Sequence, residues 1–150
     1  MVFANPYNSF AGGLTVSDTA TAAVNAGCKP GVGTVSVGAG ATLEVAQSGT
    51  ATLDDALTLA EGAALAFNFT ELDTPPVLAG TAVDAGTVNV KISAPADGFP
   101  KPAFFTLTSG LDFTGANVSL VDAPIWADSI YVSNGNIVLR VKKGTALFVR

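Results

Sequence analysis

Gly40-Ala41-Thr42-Leu43-Glu44-Val45 recurs 22 residues further on as Gly62-Ala63-Ala64-Leu65-Ala66-Phe67, and this repetition decides the fold. The residues just before it repeat in the same register, so that Val35 and Val37 map onto Leu57 and Leu59. Apolar side chains alternate with Thr, Ser, Glu or Ala in both copies, which is the period of a strand with one buried face. The unit is therefore strand, tight Gly-containing turn, strand, connection. A unit this short cannot bury its apolar face alone, and stacking similar units makes a continuous core. Val35 is expected to stack on Leu57 and Leu43 on Leu65, each pair facing a common interior. Small residues at the turns allow successive coils to lie about 4.8 Å apart.

Outward from this repeat the same alternation continues. Val88, Val90 and Ile92 flank Asn89 and Lys91; Phe105 with Leu107, Val118 with Leu120, and Ile130 with Val132 follow, and Ile137, Leu139 and Val141 close the series. Each run is short, rich in β-branched or aromatic residues, and bounded by Gly, Asp, Asn or Pro. No long window carries helical spacing, and 16 Gly and 8 Pro punctuate the chain. The expected fold class is all-β. Two stretches interrupt the regularity: Thr70-Glu71-Leu72-Asp73-Thr74-Pro75-Pro76, where Pro-Pro is expected to stay out of any ladder, and the Pro-rich segment 94–102. The expected organisation is a single domain over 1–150, with regular coils over about 8–69 and irregular coils and closing strands over about 77–150.

Composition agrees with a packed core. The 150 residues are 49% hydrophobic and only 13% charged, half the share of charge usual in globular chains, about 25%. No run of about 18 unbroken apolar residues exists to span a membrane. The opening Met-Val-Phe-Ala-Asn-Pro has neither the basic nor the apolar region of a signal peptide. A net charge of −5 argues against nucleic acid, whose phosphates call for clustered Lys and Arg. The charge is also polarised. All twelve acids lie at or before Asp128, against Lys29, Lys91 and Lys101, whereas Arg140, Lys142, Lys143 and Arg150 follow with no acid. The lone Cys28 has no partner for a disulfide within the chain, and reads as a small apolar residue at a strand end.

Asn8-Ser9-Phe10-Ala11-Gly12-Gly13-Leu14-Thr15-Val16, Gly33-Thr34-Val35-Ser36-Val37 and Gly40-Ala41-Thr42-Leu43-Glu44-Val45 together resemble the autotransporter-associated β-strand repeat. That repeat has Asn, an aromatic, Gly-Gly and Thr-x-Val, then Gly-Thr-Val-x-Val and Gly-Ala-x-Leu. The resemblance covers about residues 8–69, plus a closing C-terminal strand pair. It implies a right-handed β-solenoid (β-helix), and a place in a large extracellular protein of the bacterial cell surface.

Catalysis is poorly provided for. The chain has no histidine, which removes Ser-His-Asp and Cys-His chemistry. Asp54, Asp55, Glu61, Glu71 and Asp73 could in principle form a carboxylate pair or hold calcium, but all sit at expected turns, where acids are ordinary solvated residues. The expectation is no enzyme, no metal and no cofactor. A non-catalytic structural protein is expected instead, self-assembling head-to-tail or by strand addition into a filament, or forming part of a passenger stalk. Copies of itself are then the expected partner. The assembly segment would comprise Arg140, Lys142, Lys143, Leu147, Phe148 and Val149 at one terminus and Val2 and Phe3 at the other, because apolar extended termini pair with other chains. The alternative is an adhesin or carbohydrate-binding module, with surface glycans stacked on Trp126 and Tyr131.

Overall fold

The computed structural model describes residues 1–9 and 11–143, and among these there is no helix. Sixteen strands follow in order: β1 (Val2–Phe3), β2 (Leu14–Val16), β3 (Thr21–Val24), β4 (Val35–Val37), β5 (Thr42–Val45), β6 (Gly49–Thr52), β7 (Leu57–Leu59), β8 (Ala64–Asn68), β9 (Pro76–Ala79), β10 (Val83–Ala85), β11 (Thr87–Ser93), β12 (Phe104–Thr106), β13 (Thr108–Ser109), β14 (Asn117–Asp122), β15 (Ala127–Ser133) and β16 (Asn136–Val141). The chain winds through three parallel sheets in turn, so that sheet order is coil order. The first sheet runs β1-β3-β5-β8-β11-β14, the second β2-β4-β7-β10 and the third β6-β9-β13. The result is a β-solenoid of about four turns, finished by an antiparallel sheet of order β12-β16-β15.

The sequence repeat sets the register. Val35 pairs with Leu57 and Val37 with Leu59, while Leu43 pairs with Leu65 and Val45 with Phe67. All eight side chains are at most 4% exposed, as the alternation predicts. Burying a side chain of this size stabilises the fold by about 1.5–3 kcal/mol, so each added coil extends one shared core. The column reaches back to Leu14 and Val16 on β4, and forward to Val83 and Ala85 on β7. Along it the interval is 21, 22 and then 26 residues, from Leu14 to Val35, Leu57 and Val83. The coils thus widen towards the C-terminus, and the widening is taken up in loops.

A recurrent corner leads into β5, β8 and β14 of the first sheet. Ala41 N donates to Gly38 O at 3.1 Å and Ala63 N to Ala60 O at 2.9 Å. Gly40 and Gly62 sit third in these turns at φ 80° and 84°, a conformation that costs other L-residues a clash at Cβ. Gly115 occupies the same place at φ 85°, with Ala116 N donating to Phe113 O at 2.9 Å. Gly115-Ala116-Asn117-Val118 is thus a further copy of the Gly-Ala-x-apolar motif, set far from the others by the longer late coils.

Two features depart from expectation. Each coil has a third face, which the repeat unit had reduced to a connection. Pro76, expected outside any ladder, opens β9 opposite Gly49; a proline is tolerated as the first residue of a strand because its missing donor costs little there.

Candidate functional site

A solenoid has two ends, and these differ here. At the N-terminal end the second sheet stops at β2. Leu14 N donates to Thr34 O at 2.9 Å, and Val16 O accepts from Gly38 N at 2.8 Å. Both residues thus face β4, and parallel geometry turns the amide and carbonyl of Thr15 between them the other way. Among the described residues no strand pairs with that outer side. Val2 and Phe3 form β1, bonded to β3 through Ala23 and Val24. Val2 is exposed, and Phe3 packs against the core.

At the C-terminal end the core is covered, although β14 and β10 end their sheets there with no strand paired beyond them among the described residues. The β15–β16 hairpin lies over that core, with Ile137 and Leu139 completely buried. Leu107 N donates to Ile137 O at 2.8 Å, and Ile137 N donates to the Thr108 hydroxyl at 2.9 Å. Behind the hairpin Trp126 is 1% exposed. Its ring meets Phe69 edge-on, at 5.4 Å between centroids and 82° between planes, and Phe105 at 6.3 Å and 67°. No face of that ring is open to a sugar, so the stacking role expected of Trp126 gives way to a plug in the core. Tyr131, on the hairpin, is 37% exposed.

The expected C-terminal assembly segment is also rearranged. Arg140 belongs to the central strand of the antiparallel sheet, flanked by β12 and β15, so this strand cannot be lent to a neighbour without dismantling the cap. Its Nε lies 3.6 Å from Asp128 Oδ2, a surface pair that partly offsets the basic pole. Lys142 and Lys143 are exposed at the end of the strand. Leu147, Phe148 and Val149 lie outside the described residues.

The turn carboxylates do not converge. Asp54 pairs with Lys29. Asp55 accepts from the Thr34 hydroxyl at 3.2 Å and from Ala56 N at 2.8 Å. Asp73 accepts from Lys101 N at 2.8 Å, which anchors the Pro-rich loop, and Glu61 and Glu71 are exposed. The Cys28 thiol is buried.

A cleft of about 590 Å³ opens beside the corner at Phe113–Ala116, between that turn and the tip of the hairpin. Asp112, Thr114, Asn134 and Asn136 supply its polar groups, over Leu111 and Val132. Thr114 N donates to Asp112 Oδ1 at 3.0 Å, a turn that the spacing Asp-x-Thr encodes. The Thr114 hydroxyl, more than this N–H, holds the Asp112 carboxyl below its ordinary pKa, and burial opposes them only slightly. Asn134 and Gly135, at φ 51° and 80°, make the two-residue hairpin turn for which Asn-Gly is the strongest short signal. Phe113 N donates to Gly135 O at 2.8 Å and so ties one wall to the other. None of these four polar residues was a sequence candidate; the Asp-x-Thr and Asn-Gly turns were the available signals, and both also occur as plain turns. No known protein family, curated protein or solved structure matches this chain.

Proposed function

We propose that the chain is a non-catalytic structural module of the bacterial cell surface, a β-solenoid capped at its C-terminal end that associates through its N-terminal end. The outer edge of β2 is the observation that carries this reading: its backbone groups at Thr15 point away from β4. An unpaired parallel edge is a template for another strand. The cap disfavours head-to-tail growth, because β15 lies beside β14 and the hairpin fills the other end. A second copy can instead meet β2 about a two-fold axis, strand antiparallel to strand, which closes the assembly at two. The surface location is supported by the resemblance of residues 8–69 to the autotransporter-associated repeat. The dispersal of the turn carboxylates into separate local bonds favours a structural over a hydrolytic role.

Sedimentation velocity over a range of protein concentrations tests the association, with wild type compared against Thr15→Pro. Proline removes only an outward N–H at this position, and Leu14 before it is already extended, so the fold should survive. The wild type should form a concentration-dependent dimer, and the variant should stay monomeric with an unchanged melting temperature. A wild type that is monomeric throughout, or a variant that dimerises equally well, sinks the reading.

A further inference from the structure

We propose that the cleft between the Phe113–Ala116 corner and the hairpin tip binds a neutral glycan. Its volume, about 590 Å³, lies within the roughly 300–1,000 Å³ typical of small-molecule sites. The chemistry of the lining selects the ligand class. Asp112 brings negative charge and acceptor capacity, and among the described residues no Lys or Arg lines the cleft, so phosphates and uronates are repelled. A divalent cation fits less well, because Asp112 is the sole carboxylate among the lining residues and such ions take several oxygen ligands.

Sugar hydroxyls donate and accept at the same oxygen, and the cleft offers both functions. The Asp112 carboxylate accepts. Asn136 Oδ1 accepts from the Thr108 hydroxyl at 3.4 Å, which leaves the Asn136 amide group to donate. Asn134 can do either. Val132, half-buried beside the hairpin turn, supplies apolar surface for the C–H face of a pyranose. The walls are also fixed before any ligand arrives. Thr114 N holds Asp112, Phe113 N holds Gly135 O, and a Cβ at Gly135 would stand 2.8 Å from Asp112 Oδ1, so only glycine lets the carboxylate sit so close. Such preorganisation lowers the cost of binding. This site does not depend on the association proposed for β2, which lies at the other end of the stack.

The test is a titration followed by ¹H–¹⁵N correlation spectra, with cellohexaose, maltohexaose and chitohexaose as neutral probes and polygalacturonate as the anionic one, each at millimolar concentration. At least one neutral probe should shift the amides of residues 110–115 and 134–136, and polygalacturonate should leave them in place. Asp112→Asn keeps an acceptor for Thr114 N and should weaken binding about tenfold, the loss of roughly 1.4 kcal/mol. Asn134→Gly suits the same turn, and should weaken binding even if the first variant folds poorly. Tyr131→Ala should bind as the wild type does. Silence from all three neutral probes, a stronger response to polygalacturonate, or full affinity in both cleft variants overturns the proposal.

Discussion

Trp126 is among the largest fully buried side chains, and its indole N–H finds no acceptor among the described residues. Two opposing terms therefore meet in one ring. Truncation to alanine should cost about 3–5 kcal/mol, since the cavity between Phe69 and Phe105 cannot fully collapse. Trp126→Phe should cost much less, because it also removes an unpaired donor whose burial costs about 1–3 kcal/mol. Urea midpoints at unchanged slope measure both, and a phenylalanine variant as damaged as the alanine one would mean the N–H is bonded in solution. Asp112 offers a second residue-scale test. Its pKa is lowered in the fold, chiefly by the Thr114 hydroxyl. The stabilisation is therefore complete above the ordinary carboxylate pKa, and is lost as pH falls through the lowered value. In a carboxyl-detected titration the Asp112 midpoint should rise in Thr114→Ala; an unmoved midpoint would remove the hydroxyl as its cause. The surroundings of Trp126 cannot be read locally, because they come from Phe69, far away along the chain, whereas those of Asp112 come from Thr114, two residues on.

At the scale of elements, the corners are where sequence and geometry are most tightly coupled. Gly115 and Gly110 both have positive φ, 85° and 75°, but they differ in what a methyl group would meet. A Cβ at Gly115 finds nothing within 4 Å, whereas one at Gly110 falls 2.1 Å from Gly80 O in the coil beneath. Gly115→Ala should thus cost only the left-handed penalty of about 1–2 kcal/mol, and Gly110→Ala should cost more than about twice that, since backbone must move. Equal losses in denaturant would mean that the two coils are not in contact there. The same coupling explains what could be read in advance. The pairs Val35 with Leu57 and Leu43 with Leu65 were legible because a short repeat preserved both inward side chains and corner glycine. The third face was not, since Gly49-Thr50-Ala51-Thr52 buries only Ala51, too small to mark a period. In the first coil that face is no strand at all, although Gly27 N donates to Thr50 O and Thr52 N to Cys28 O. The cleft escaped for a related reason: its residues come from two turns that only the late, widened coils bring together.

The whole molecule is a stack with unequal ends, and this asymmetry should govern its local stability. In a stack each coil is held mainly by its neighbours, so opening begins at the ends and moves inward. The N-terminal end offers little resistance. β1 has two residues, and β2 has three with one edge unpaired. At the C-terminal end the core is covered by Ile137, Leu139 and Trp126, each at most 1% exposed. Charge does not reverse this order. Lys29 with Asp54, and Arg140 with Asp128, are partly or largely solvated pairs, and such pairs contribute at most about 1 kcal/mol. Hydrogen exchange at dilution, where no dimer forms, should therefore show protection that rises from β2 through β4 to β7 and stays high through β11 and β16. Trp126→Ala should add β13 and β14 to the fast-exchanging set while β4 and β7 keep their protection, because the plug acts on the end it fills. At concentrations that favour pairing, the Thr15 amide of the wild type should slow, since that N–H then has a partner. If β16 exchanges faster than β2 in the wild type, the hairpin is an appendage rather than a cap, and the core is open at both ends.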